Sequence, residues 1–104
     1  MNSKNPEKHK TQAPNLRQIR RACNKELYRT AKRIGHYIAP EKIEEAEKLY
    51  YKQVLSHLPF IVENSSNRKE LANWWETNVA PDIAAIWEVE VDVLSRKFRE
   101  AFGG

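Results

Sequence analysis

Arginine and lysine recur along residues 17–33 at spacings that place six of them on one side of a helix. At about 100° per residue, the apolar residues of the same stretch fall on the opposite side, and Tyr28 falls among the cations. The six cations are Arg17, Arg21, Lys25, Arg29, Lys32 and Arg33. Evenly spaced cations bind phosphates electrostatically, and an aromatic ring in their midst stacks on a base or ribose. The alternative is a basic face that is only solvated and binds nothing.

Arginine outnumbers lysine on this face by four to two, which favours planar recognition of phosphate or carboxylate groups. Residues 1–38 carry ten Lys and Arg against two Glu, a net charge of +8, whereas residues 39–104 carry a net charge of −4. Such asymmetry is typical of proteins whose partner is nucleic acid, an anionic membrane or an acidic protein. A helix that binds a membrane surface presents Trp, Phe and Leu on its apolar side. Here that side holds Ile, Ala, Cys and Leu of core size, so no membrane partner is expected.

Two adjacent tryptophans, Trp74 and Trp75, form the second group with binding potential. On a helix their indoles point about 100° apart, so at least one is expected in the core. A partly exposed indole is an interface anchor, and both residues are therefore interface candidates. Core packing is the default expectation for both rings.

One carboxylate falls inside an apolar helical stripe, because Glu90 lies between Ile86 and Leu94. A buried carboxylate has a raised pKa and can act as a general base, so a small oligomeric enzyme using Glu90 is a third hypothesis. Glu90 at the edge of the stripe, or on the outer side of a strand, is the alternative. No metal site, cofactor or catalytic residue is otherwise predicted, because Cys23 is the single cysteine and the three histidines are scattered. The chain also lacks a glycine-rich phosphate loop.

Four helices are predicted to position these groups. They cover residues 15–38, 40–58, 67–79 and 81–102. Asn15 is the predicted N-cap of the first helix, Pro40 suits the first turn of the second, and Asn67 opens the third with a capping-box pattern. In residues 87–93 apolar and acidic residues alternate as in a strand, but no second strand is available as a partner, so a helix is predicted there.

These patterns predict an all-α protein, a compact bundle of about four helices in one domain over residues 15–104, preceded by a flexible basic tail over residues 1–14. A single cysteine and the lack of a signal peptide or long apolar run indicate a cytoplasmic location. The expected function is a small non-enzymatic module that binds nucleic acid through the basic face. The alternative is an adaptor or small inhibitor that docks on an acidic protein or through exposed tryptophans. The wide apolar face of the last helix favours a homodimer.

Overall fold

The computed structural model describes residues 15–104, and every regular element in that range is an α-helix. The predicted all-α class is therefore confirmed, whereas this range holds six helices rather than about four. In chain order the helices are α1 (Leu16–Ile34), α2 (Pro40–Ser56), α3 (Leu58–Glu63), α4 (Arg68–Asn78), α5 (Ala80–Trp87) and α6 (Val91–Phe102). The predicted flexible tail, residues 1–14, lies outside the described residues.

The ends of α1 are set by local chemistry. The Asn15 side chain accepts a hydrogen bond from the backbone N–H of Gln18 at 2.8 Å, and Gln18 Oε1 accepts one from Asn15 N at 3.1 Å, so the predicted N-cap is confirmed. The helix ends at Ile34, four residues before the predicted end, because Gly35 adopts a left-handed conformation with φ of +90°. Only glycine enters this conformation without strain, and it is a common helix terminator.

The second predicted helix is divided into α2 and α3. His57 ends α2 with its backbone N–H bonded to the Gln53 and Val54 carbonyls. Pro59 then stands in the first turn of α3, where its missing N–H removes no helical hydrogen bond. The segment after Pro59, which lay outside the predicted helices, is thus helical as far as Glu63.

The last predicted helix is interrupted at residues 88–90, which form neither a continuous helix nor a strand. Glu88 adopts the left-handed conformation, with φ of 57° and ψ of 48°, which costs a non-glycine residue about 1–2 kcal/mol. Contacts with α2 hold this corner. The indole of Trp87 donates to the Lys42 carbonyl at 3.0 Å, and Lys42 Nζ donates to the Ile86 carbonyl at 3.2 Å. Lys42 Nζ also lies 3.8 Å from the Glu88 carboxylate.

A stack of aromatic rings forms the centre of the core. The ring of Trp75 lies parallel to that of Phe98 with centroids 3.8 Å apart, and Phe102 continues the stack 5.1 Å from Phe98. Tyr50 meets Trp75 and Phe98 edge-on, at 6.1 and 6.3 Å. Helix α1 packs against α6, which carries Phe98 and Phe102, and against α2, which carries Tyr50.

The side of α1 that faces the core does not consist only of apolar residues. Leu16 is 59% exposed, whereas Thr30 is fully buried. Thr30 Oγ1 donates to the Glu26 carbonyl at 2.7 Å, which satisfies the hydroxyl within the helix and allows its burial. The side that faces the core therefore consists of Ile19, Cys23, Leu27 and Thr30.

Candidate functional site

The outer side of α1 carries all six predicted cations, and each of them is exposed. The row from Arg17 to Arg33 extends over about 24 Å at the helical rise of ~1.5 Å per residue. Within residues 15–104, none of the six forms an ion pair with a carboxylate. We call this surface the basic face. Its charge is not neutralised by the rest of the described chain and so remains available to an anionic partner.

Tyr28 lies within the basic face and is 60% exposed. The ammonium of Lys32, one turn further along α1, lies 5.2 Å from the centre of the Tyr28 ring and 3.4 Å from its hydroxyl. The ring is therefore held beside a cation, with most of its surface open to solvent. This arrangement suits stacking on a flat ligand next to a bound phosphate.

The structure adds one cation that the sequence analysis did not select. Arg68, the first residue of α4, packs its guanidinium 4.6 Å from the centre of the Phe102 ring and donates from Nη1 to the Phe102 carbonyl at 2.8 Å. With Lys25 and Arg29 of the basic face it lines a cleft of about 260 Å³. No local pattern marks Arg68, because only the packing of α4 against α6 brings it next to α1.

Both candidate interface tryptophans lie in the core, as the default expectation had it, so neither forms the exposed anchor of the other interpretation. Trp74 is 8% exposed and Trp75 is 1% exposed. Trp75 stacks on Phe98, and Trp74 packs against the edge of His57 with centroids 5.5 Å apart. The two indoles point in different directions, as expected on a helix, but α4 is covered by both α5 and α6.

Glu90 is exposed, which overturns the hypothesis of a buried general base at this position. One helix ends at Trp87 and the next begins at Val91. Ile86 and Leu94 therefore belong to different helices and do not enclose Glu90 in one apolar stripe. Instead, Glu90 is the N-cap residue of α6, and its carbonyl accepts from Leu94 N at 3.0 Å. Glu90 therefore lacks the buried environment that the enzyme hypothesis required.

Glu26, on the inner edge of α1, is a partly buried carboxylate. Its Oε1 accepts a 2.5 Å hydrogen bond from the Tyr50 hydroxyl of α2. Burial raises the pKa of Glu26, while the hydrogen bond from Tyr50 and the cations Arg68 and Arg29 act to lower it. The sequence contained a signal for this residue, since Glu26 lies three positions after Cys23 and four before Thr30, both of which are buried.

Glu26 also lines an apolar cavity of about 180 Å³ beneath α1, which we call the aromatic cavity. Its lining includes the aromatic residues Tyr50, Trp74 and Phe98, together with Cys23. Burial, reinforced by the charge of Glu26, raises the pKa of the Cys23 thiol to about 12. The thiolate is the nucleophilic form of cysteine, so Cys23 is not poised for nucleophilic chemistry near neutral pH.

Three further findings restrict the range of functions. Within residues 15–104, no group of three or more His, Cys, Asp or Glu side chains is arranged to hold a metal ion. None of the described helices combines the length and apolar character needed to cross a membrane. Comparisons of the chain with protein-family models, with curated proteins and with solved structures find no match. A functional assignment therefore depends on the chemistry of the basic face and of the aromatic cavity.

Proposed function

We propose that this protein binds nucleic acid through the basic face, without sequence specificity. The observation that carries the proposal is the row of six exposed cations on α1, none of which pairs with a carboxylate in residues 15–104. A nucleic acid that neutralises such a row releases its condensed counterions, and this release drives association. Long, exposed side chains on one convex face contact phosphates rather than base edges, so they position the ligand without reading its sequence.

Arg68 and Tyr28 refine the proposal. Arg68 is held by Phe102 and shares a cleft with Lys25 and Arg29. The cleft is large enough for a phosphate group, and its three cations outnumber the one carboxylate in its lining, Glu26. Tyr28 offers an exposed ring, which stacks on an unpaired base but finds no free base face in a duplex. We therefore expect single-stranded DNA or RNA to bind more tightly than a duplex of equal length.

The proposal is tested by fluorescence anisotropy with labelled single-stranded and duplex oligonucleotides across a salt titration. We expect the affinity of the wild-type protein to fall linearly on a log–log plot against salt concentration. Each lost phosphate contact lowers the slope by roughly 0.7 to 0.9, so the quadruple variant Arg17/Arg21/Lys25/Arg29→Gln lowers it by about 3 and weakens binding on the order of 100-fold at low salt.

The matched control replaces four exposed cations outside α1 and changes the net charge by the same amount. These are Lys48, Lys52, Lys69 and Arg96. The control variant is expected to keep most of the affinity. Equal losses in the two variants would show that only net charge matters, and the absence of binding at low salt would contradict the proposal. An acidic protein would then remain as the alternative partner of the basic face.

A further inference from the structure

The carboxylate of Glu26 is available to contact a cationic ligand. Glu26 is partly buried and also lines the cleft that contains Arg29 and Arg68, yet it forms no ion pair within residues 15–104. Its Oε1 accepts from Tyr50, and its Oε2 has no hydrogen-bond donor among the described residues. Arg29 and Arg68 attract the carboxylate from that cleft, but both are exposed, so solvent screens them.

The side chains that line the aromatic cavity around Glu26 suit an organic cation with an apolar group. Tyr50, Trp74 and Phe98 line the aromatic cavity, and their rings provide large apolar surfaces that suit an apolar or aromatic ligand group. The remaining lining is largely aliphatic and suits an apolar substituent. A carboxylate beside several aromatic rings therefore selects a ligand that combines one positive charge with an apolar group.

The size and position of the aromatic cavity restrict the ligand further. Its volume of about 180 Å³ is close to that of engineered protein cavities of about 150 Å³ that hold benzene. A nucleotide or a peptide is too large for this space. Gln18 and Ala22 line the cavity and are themselves exposed, so it opens to solvent along the edge of α1.

We propose that the aromatic cavity binds a small organic ammonium ion, with the ammonium against the Glu26 carboxylate and one ring-sized or smaller apolar group against the apolar lining. This site lies on the inner side of α1 and does not depend on the nucleic-acid function proposed for the outer side. The ligand is recognised by a charge–charge contact with Glu26 and by its fit to the apolar lining, with no covalent step.

The test is isothermal titration calorimetry of the full chain with benzylamine, which is protonated at neutral pH, and with its neutral analogue benzyl alcohol. Benzylamine is expected to bind the wild-type protein with one-to-one stoichiometry and more tightly than benzyl alcohol. Glu26→Gln keeps an acceptor for the Tyr50 hydroxyl but removes the charge, so it should weaken benzylamine binding by roughly tenfold or more. It should leave benzyl alcohol binding unchanged, and Glu45→Gln, an exposed carboxylate on α2, is the matched control.

A second measurement locates the ligand in the wild-type protein and does not depend on how any variant folds. In proton–nitrogen NMR spectra, benzylamine should shift the indole N–H signal of Trp74, which lines the cavity. The indole signal of Trp87, whose N–H is bonded to the Lys42 carbonyl, should not move. Failure of benzylamine to bind, equal affinity for benzyl alcohol, unchanged affinity in Glu26→Gln or a shift confined to Trp87 would each overturn the proposal.

Discussion

Charged side chains have opposite environments on the two sides of α1. On the outer side six cations are exposed to water with no carboxylate partner in the described chain, and the exposed ring of Tyr28 lies among them. On the inner side a single carboxylate, Glu26, lies among buried apolar residues and is held by the Tyr50 hydroxyl. A solvated charge costs the fold almost nothing, whereas a buried charge needs a specific partner. The outer charges are thus open to any anionic ligand, whereas the inner charge also contributes to the packing of α1 against α2.

This contrast has a measurable consequence, because substitutions on the two sides of α1 should affect different properties. Changes on the outer side should alter binding and leave the free energy of unfolding almost unchanged. Changes on the inner side, and in the core behind it, should alter stability first.

The largest effect is expected for Trp75→Ala, behind the inner side of α1. Trp75 is 1% exposed and stacks on Phe98, so truncation leaves a large void and should lower the free energy of unfolding by about 3–5 kcal/mol. On the outer side, Arg29→Ala should change it by no more than about 0.5 kcal/mol. Urea denaturation followed by circular dichroism measures both. Similar costs for the two variants would remove the distinction between core and basic face.

The next effect concerns binding at Tyr28. Replacing it with alanine removes a stacking surface and should weaken binding of single-stranded DNA by about 1–3 kcal/mol, with no loss of stability because the ring is 60% exposed. Tyr37→Ala is the control, since Tyr37 is 80% exposed and follows the end of α1. Anisotropy titrations compare the two variants. Equal losses would show that the stacking is not specific to the basic face.

A third effect is a pH dependence of stability that originates at Glu26. Burial raises the pKa of Glu26 in the folded state above the ordinary value of 4.5, so the folded protein holds this proton more tightly than the unfolded chain. The stabilisation from Glu26 is therefore fully present below the unfolded pKa and is lost as the pH rises through the raised folded pKa.

The variant Glu26→Gln isolates this dependence. Thermal unfolding over a pH series should show the wild-type protein losing stability relative to Glu26→Gln as the pH rises, while Glu45→Gln follows the wild type. A constant difference between the wild type and Glu26→Gln at all pH values would mean that the Glu26 carboxyl is solvated like the exposed acids.

The smallest effect is expected for Thr30→Val on the inner side. The Thr30 hydroxyl is bonded only within its own helix, to the Glu26 carbonyl, and valine has nearly the same shape. We expect a change in the free energy of unfolding below about 1 kcal/mol, of either sign. Urea denaturation of the variant checks this, and a loss of several kcal/mol would indicate that the hydroxyl supports the neighbouring Glu26–Tyr50 contact.

The helical class, the amphipathic character of α1 and the starts of α1, α2 and α4 were predictable from the sequence. Asn15 and Asn67 both cap as predicted, the latter by accepting from Glu70 N at 3.1 Å. These features depend on residues within four positions of each other, and such short-range patterns are visible in any window of the chain. Gly35 belongs to the same class, since a glycine after an apolar helical stripe is a local stop signal that the predicted end at residue 38 overlooked.

The tertiary structure alone decided which charged groups are buried and which are available. The corner at Glu88 is held by Lys42, the cleft cation Arg68 by Phe102, and these pairs lie more than thirty residues apart in the chain. The burial of Glu26 likewise depends on Tyr50, from the next helix. Periodicity reports which side of a helix is apolar, but not which neighbour covers it or where a long stripe is interrupted. The exposure of Glu90 and the burial of both adjacent tryptophans follow from packing between helices, because burial is a property of the assembled core rather than of the residue sequence within one helix.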